Sequence, residues 1–210
     1  MHRNAGILFN EHARPLFKPS MKVLEVGPDG APSSFQKSVG LDSIVWHTLD
    51  ISAATNPTFV AKSEYEFPLA EGAYDIVVSG NVLEHVKKIW VWMAELARVC
   101  KKDGHVVTLN PLSWPFHEYP ADCWRIYPDG MRALYEAARL KVVFCSCENR
   151  ELDETNPWKI EDYTSNPRSR GGNFYPGIGM PPRGFKSALK RALCWPMPLS
   201  FDTVTIGVKE

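Results

Sequence analysis

The chain has 210 residues, of which 44% are hydrophobic and 11% aromatic, so it can bury a substantial core without cross-links and is not disordered throughout. Its 24 basic and 24 acidic side chains give a formal charge of zero, which argues against a globally basic nucleic-acid or membrane-surface protein. The five cysteines form no CxxC pair, so neither a disulfide framework nor a zinc site is predicted, and the expected location is cytoplasmic.

Short β-branched runs alternate with amphipathic stretches from residue 22 onward. This alternation is typical of an α/β fold in which helices cover a mostly parallel sheet. The runs at 22–26, 43–50, 57–61 and 74–80 predict the first four strands. The fourth is almost continuously apolar, as expected for a central strand buried on both faces.

The middle of the chain continues the pattern. Apolar side chains recur every three or four residues from Val86 to Lys102, which predicts a helix that ends before Gly104, where its last two lysines suit a helix C-terminus. Strands are predicted at 105–110 and 141–147, with a helix at 129–140 between them.

The region 148–201 is rich in proline and glycine and interrupts this rhythm. We interpret residues 1–210 as one domain with an insertion or lid at about 148–201, containing one short helix at Phe185–Cys194, before a closing strand at 202–209. Residues 163–201 carry six basic and no acidic side chains, so the zero net charge arises by cancellation. This segment is either a solvated loop or a weak contact for phosphate or an anionic membrane.

A glycine-bearing turn, EVGPDGAPS, follows the first strand. Gly27 and Gly30 lack Cβ atoms that would cover the backbone N–H groups. Asp50 ends the second strand, 20 residues after Gly30. In a doubly wound fold, such an acid accepts hydrogen bonds from ribose hydroxyls, which fits either a dinucleotide or S-adenosylmethionine. The alternative to cofactor binding is a purely structural role, in which the glycines form a tight turn and Asp50 caps the turn that follows it.

Four ordered segments, VLEVGPDG, HTLDIS, EFPLAEGAYDIVVSGNVLEHV and LARVCKKDGHVV, resemble class I S-adenosylmethionine-dependent methyltransferases. The closest resemblance is to type 11-like members associated with polysaccharide and sugar modification. The resemblance implies a Rossmann-like seven-stranded sheet in the order 3-2-1-4-5-7-6, with strand 7 antiparallel and helices on both sides. It also implies S-adenosyl-L-methionine as the cofactor.

The resemblance also implies a set of cofactor-binding residues after strands 1, 2 and 4. The set is Glu25, Gly27, Gly30, Asp50, Ser63, Glu64, Asn81 and Leu83. Its first three members would hold the methionine part, and Asp50 would hold the ribose. Many relatives place an acid against the adenine where this chain has Ser63, followed by Glu64, so the adenine contact departs from the family pattern.

Residues 110–130 combine aromatic and charged side chains and follow the strand at 105–110, so they should emerge beside the cofactor. Their P-F-H-x-x-P-x-D-x-W-R pattern also resembles the glycan-associated subgroup, and aromatic rings suit the apolar face of a sugar. The predicted substrate-binding residues are Tyr119, Trp124, Arg125 and Tyr127. The structural alternative for Trp124 is that it pins the loop to the sheet.

Methyl transfer to a hydroxyl requires the removal of one proton. We favour His117 as the base, because a loop histidine at the predicted reaction face has few structural reasons to be there. His85 and Asp122 are the other catalytic candidates, and an architectural role is the alternative for His85.

These patterns predict an O-methyltransferase that acts on a sugar, glycan or related polar small molecule. N-methyl transfer to a small molecule and a catalytically silent binding module are the alternatives. An NAD-dependent reductase would usually show G-x-G-x-x-G, and a nucleic-acid amino-methyltransferase would carry a Pro-Pro-aromatic motif where this chain reads SGNV. We predict no nucleic-acid partner and, because Asp75 and Asn81 are isolated, no metal.

Overall fold

A computed structural model describes residues 3–118, 121–151, 158–159 and 201–210. The strands are β1 (Lys22–Val26), β2 (Val45–Asp50), β3 (Phe59–Val60), β4 (Tyr74–Gly80), β5 (Cys100–Pro111), β6 (Leu140–Asn149), β7 (Trp158–Lys159) and β8 (Asp202–Lys209). The α-helices are α1 (Arg3–Leu8), α2 (Ser34–Val39), α3 (Ile89–Val99) and α4 (Pro128–Ala137). A π-helical turn (Phe9–Ala13) and a 3₁₀ turn (Arg14–Leu16) extend α1, and a second 3₁₀ turn covers Leu83–His85.

The described strands form one sheet in the order β3-β2-β1-β4-β5-β8-β6-β7. The strands from β3 to β5 pair in parallel, whereas β8 inserts between β5 and β6 and runs antiparallel to both. Apart from the two-residue edge strand β7, this is the predicted order 3-2-1-4-5-7-6 with its seventh strand antiparallel. The predicted fold class is confirmed.

The two faces of the sheet support separate apolar cores, because successive strand residues point in opposite directions. Leu24 and Val77 belong to a core shared with α3 and α4. Their neighbours Val23 and Ile76 belong to a second core with α1 and α2. No helix within the described ranges is long and apolar enough to cross a membrane.

The boundary between α3 and β5 differs from the prediction. The helix ends at Val99, where the N–H of Cys100 donates to the carbonyl of Leu96, and β5 begins at once rather than at residue 105. Lys101 does not interact with the helix end; its Nζ lies 2.6 Å from Oδ1 of Asp75. The sheet therefore ends the helix, because Cys100 pairs with Tyr74 and a register shift accommodates the residues that follow.

The strand predicted at 141–147 is longer than expected. β6 continues to Asn149, and its end pairs with β7. The predicted helix at Phe185–Cys194 and nearly all of the basic segment 163–201 lie outside the described residues.

Candidate functional site

The carboxyl ends of β1 and β4 meet where the strand order reverses, which is the usual ligand-binding crevice of such sheets. Gly27 has a φ of 74°, and a Cβ atom there would overlap the side chain of Val82. Opposite it, a Cβ on Gly80 would lie 2.5 Å from Cζ of Phe35. A Cβ at either position would therefore force the side chain that it meets to shift, and Gly27 also has a left-handed backbone. Sequence reasoning found Gly27 but missed Gly80, whose position as the last residue of an apolar strand was the available signal.

A cavity of about 130 Å³ opens at these two glycines. It is lined by Glu25, Gly27, Asp29, Ser34, Phe35, Gly80 and Asn81. Pockets that hold a whole small molecule usually measure about 300–1,000 Å³, so this cavity accounts for only part of a cofactor.

The carboxylate of Glu25 is buried at the cavity wall. It accepts hydrogen bonds from the Ser33 hydroxyl and from Nε1 of Trp46, the latter at 2.9 Å. Burial raises the pKa of Glu25 to about 7, although these two hydrogen bonds oppose the rise. Ser33 also caps α2 by accepting from the N–H of Gln36, so the helix start fixes the carboxylate.

The rest of the turn is built without further glycine. Oδ1 of Asp29 accepts a hydrogen bond from the N–H of Ser34 at 2.8 Å, so this acid stabilises the turn that precedes α2. Gly30 has no positive φ, and a Cβ there would meet only the carbonyl of Pro32 at 3.7 Å. The backbone does not require glycine at residue 30.

Asn81 follows β4 in a left-handed conformation, with a φ of 56°, and its N–H donates to the carbonyl of Leu109. Its side-chain amide is buried, and neither Nδ2 nor Oδ1 makes a hydrogen bond of ordinary geometry to a described residue, although the amide lies near enough to Glu84 to lower the pKa of that carboxyl. A buried amide of this kind is costly unless something binds it. With Gly27, Gly80 and Glu25, it lines the cavity.

The other predicted cofactor residues occupy different settings. Oδ1 of Asp50 accepts from the N–H of Ser52 at 2.8 Å, so this acid does cap the following turn, and it lies outside the cavity lining. The Ser63 hydroxyl accepts from the N–H of Tyr65 at 3.0 Å, beside Glu64. The side chain of Leu83 is buried in the core and presents no surface to a ligand.

A second group of polar side chains lies just beyond Asn81. Glu84, His85 and His117 each place one potential ligand atom within 4.8 Å of the others. Oε1 of Glu84 is 3.9 Å from Nε2 of His85, and the two imidazole rings meet edge to face with their centroids 4.9 Å apart. Burial raises the pKa of Glu84 to about 7. Sequence spacing did not group these residues, because His117 lies 32 positions after His85.

Asp122 and Arg125 brace the loop that carries His117. The backbone N–H of His117 donates to Oδ2 of Asp122 at 2.8 Å, and Arg125 binds both oxygens of that carboxylate at 2.5 and 2.7 Å. The Arg125 guanidinium lowers the pKa of Asp122 to about 2. Arg125 also donates to the carbonyls of Trp114 and Pro115. The pair therefore shapes the loop.

The three aromatic residues predicted to bind substrate lie in different settings. Nε1 of Trp124 donates to the carbonyl of Val86 at 2.8 Å, and its ring packs against the core, as in the pinning alternative. Tyr127 is half exposed where it precedes α4. Tyr119 lies outside the described residues.

Comparison with known proteins identifies the same fold. Residues 42–108 match a family described as a methyltransferase domain. Two curated proteins from Mycobacterium avium and Mycolicibacterium paratuberculosis, each named an uncharacterized methyltransferase, are 40% identical to this chain over 57 residues. That match spans 27% of this chain and only 22% of each relative.

Solved structures resemble most of the chain at low identity. A candidate methyltransferase from Bacillus halodurans aligns with a TM-score of 0.59 and 12% identity, over 98% of this chain and 97% of its own. Phosphoethanolamine N-methyltransferase 2 of Haemonchus contortus, solved with S-adenosyl-L-methionine, gives a TM-score of 0.56 and 13% identity, over 99% of this chain and 52% of its own. The matched segment and the fold are both similar to those of methyltransferases.

Proposed function

We propose that this chain transfers a methyl group from S-adenosylmethionine to a hydroxyl of a sugar, glycan or related polar small molecule. The observation that carries the proposal is the cavity between β1 and β4, where Gly27 and Gly80 adjoin the buried amide of Asn81. When bound there, S-adenosylmethionine supplies an activated methyl group on a positively charged sulfur.

The residues of the cavity would hold the cofactor by its polar ends. Asn81 and Glu25 lie where the amino-acid end would bind, the amide offering both a donor and an acceptor. At Asp50, Oδ1 is engaged by the turn, and the described residues give Oδ2 no hydrogen bond, so that oxygen suits a ribose hydroxyl.

The histidine pair favours a hydroxyl as the acceptor. A neutral amine attacks through a free lone pair, whereas a hydroxyl must lose a proton, so a nearby base matters more for oxygen. His117 is 35% exposed at its side chain, against 14% for His85, and is the more accessible of the two. Asp122 is a weaker candidate, because its bidentate contact with Arg125 holds its pKa at about 2. We assign Asp122 to the positioning of His117.

N-methyl transfer is the second candidate, since the Haemonchus contortus structure with this fold is named an N-methyltransferase. The two candidates differ in their need for a base. If nitrogen is the target, His117→Ala should leave turnover nearly unchanged at a pH where the amine is neutral.

The experiment has two stages. Calorimetric titration should first detect binding of S-adenosylmethionine, and the absence of binding at millimolar cofactor would overturn the proposal in favour of a silent module. Activated sugars and polar small molecules are then screened for methyl transfer by mass spectrometry. With the active acceptor, His117→Ala should lower turnover about 100-fold with cofactor affinity unchanged. His105→Gln, in the first half of β5, is the matched histidine control.

A further inference from the structure

We propose that Glu84, His85 and His117 bind a first-row divalent transition metal ion such as Zn²⁺. The three residues converge from the 3₁₀ turn after β4 and from the loop after β5, with one ligand atom each inside 4.8 Å. They offer two imidazole nitrogens and one carboxylate oxygen, which is a donor set that zinc uses in proteins.

The outer contacts of both histidines favour metal binding. Nδ1 of His85 lies 2.5 Å from the carbonyl of Ala121, and Nδ1 of His117 lies 3.1 Å from the carbonyl of Pro115. A carbonyl only accepts, so each Nδ1 carries the proton and each Nε2 keeps its lone pair. Metal-binding histidines typically donate their other ring N–H to such a partner. The carboxylate of Asp122, 3.5 Å from Nδ1 of His117, adds a second partner to that ring.

Glu84 supplies an independent observation. Its side chain is only 1% exposed, and no donor in the part of the chain that the structure describes meets either carboxylate oxygen with hydrogen-bond geometry. The Arg125 guanidinium and the Asn81 amide act on this carboxylate from outside that geometry and only partly offset the rise in its pKa that burial causes. A buried carboxylate without a donor is expensive, and such groups are usually paired or bound to metal. Its Oε1 already faces Nε2 of His85 at 3.9 Å. A cation between these atoms would satisfy the carboxylate.

The three ligand atoms must move slightly closer together to coordinate one metal ion. Bonds of about 2.0–2.2 Å to zinc place the ligand atoms of a tetrahedral site about 3.4 Å apart, so no separation within the 4.8 Å limit needs to shorten by more than about 1.4 Å. The His117 side chain is the ligand best able to adjust, because it is 35% exposed, whereas Asp122 holds the backbone N–H of the same residue. The same exposure provides an access path and leaves a coordination position open.

The ligand set also selects the ion. Mg²⁺ prefers oxygen ligands and keeps several waters, whereas imidazole suits zinc and other first-row metals. The prediction of no metal considered only isolated Asp and Asn oxygens, and it did not anticipate that two histidines and a glutamate meet in space.

The catalytic use of this site rests on the proposed function, although ion binding itself does not. A hydroxyl bound at the open position would lose its proton to solvent more readily, because a divalent cation lowers its pKa. His117 would then act as a ligand in the metal-bound protein. In the metal-free protein it remains the accessible base.

The test uses the full chain after treatment with a chelator. Titration with Zn²⁺ should show one ion bound per chain, and Co²⁺ should give the visible absorption of a four- or five-coordinate site. Glu84→Gln and His117→Ala should each weaken zinc binding by roughly 100-fold or more, because each removes a ligand rather than an outer contact. His105→Gln should bind as the wild type does. Thermal unfolding without metal verifies that each variant folds.

Three results would overturn the inference: no zinc binding to the wild type, equal binding by all variants, or binding of Mg²⁺ in preference to Zn²⁺. Titration of the same metal-free protein with S-adenosylmethionine separates this inference from the proposed function. Cofactor binding without zinc binding rejects only the metal site. Zinc binding without cofactor binding rejects only the methyltransferase.

Discussion

Replacing Gly27 by alanine tests how the cofactor cavity is built. The new Cβ would meet two obstacles at once, a φ of 74° and an overlap with the side chain of Val82. A left-handed backbone costs a residue with a Cβ about 1–2 kcal/mol. Overpacking of a filled site costs about 1–3 kcal/mol more. We therefore expect Gly27→Ala to lower the free energy of unfolding by roughly 2–5 kcal/mol.

Two other glycines separate these contributions. Gly72 has a φ of 61° with nothing within 4 Å of its added Cβ, so Gly72→Ala should cost only the backbone strain. Gly30 has neither a positive φ nor a close neighbour, so Gly30→Ala should be nearly neutral. The expected order of destabilisation is Gly27, then Gly72, then Gly30.

Urea unfolding and thermal melting measure the series, and about 2–4 °C in Tm is expected for each kcal/mol in a chain of this size. The double variant Gly27→Ala, Val82→Ala removes the overlapping methyl and should recover part of the loss, which a double-mutant cycle quantifies. Calorimetry should also show weaker S-adenosylmethionine binding by Gly27→Ala. Equal losses in Gly27→Ala and Gly72→Ala, with no recovery in the double variant, would refute the packing argument.

Three other perturbations distinguish ligand contacts from structural ones. Asp50→Ala should weaken S-adenosylmethionine binding by about 1–3 kcal/mol with little change in Tm, and an unchanged Kd by calorimetry would assign Asp50 to its turn alone. Arg125→Met should lower the unfolding free energy by about 3 kcal/mol in urea, because it leaves the buried carboxylate of Asp122 without its bidentate partner; a loss under about 1 kcal/mol would contradict this. Glu148 is buried, which opposes ionisation, but the His12 imidazole 3.6 Å away and hydrogen bonds from Ser146 and Arg150 lower its pKa to about 2. Because its folded pKa lies below the unfolded value, its contribution to stability is present above about pH 4.5 and lost as the pH falls toward 2. The stability difference between wild type and Glu148→Gln should shrink over that range, and a constant difference would argue against the assignment.

Local patterns were sufficient to predict most of the sheet. The apolar run of β4 and the glycine turn after β1 were readable from the sequence, because burial on both faces and a left-handed backbone each restrict residue type locally. The resemblance to methyltransferases then implied the strand order, including the antiparallel closing strand. The helical segment before residue 17 was not predicted. Its apolar side chains become buried only because α1 packs on the second face of the sheet.

Boundaries and roles in the site depended on contacts between distant segments. β5 begins at Cys100 because that residue pairs with Tyr74, which helix periodicity cannot reveal. Arg125 was predicted as a substrate contact, but its guanidinium is engaged by Asp122 and by loop carbonyls. The pairing of Arg125 with Asp122 depends on the geometry of the loop. The composition of the loop does not reveal that geometry, and it had favoured a contact with a ligand.

By itself, the sequence determined the α/β fold class and the position of the glycine turn, whereas the choice of cofactor came from the resemblance of its motifs to a known family. The tertiary structure alone decided that Gly80 faces Gly27 across the cavity and that His117 reaches Glu84 and His85. The physical reason is that strand patterns and turn preferences act over a few neighbouring residues. A site forms where the carboxyl ends of separate strands converge, and that convergence follows from the packing of the whole sheet.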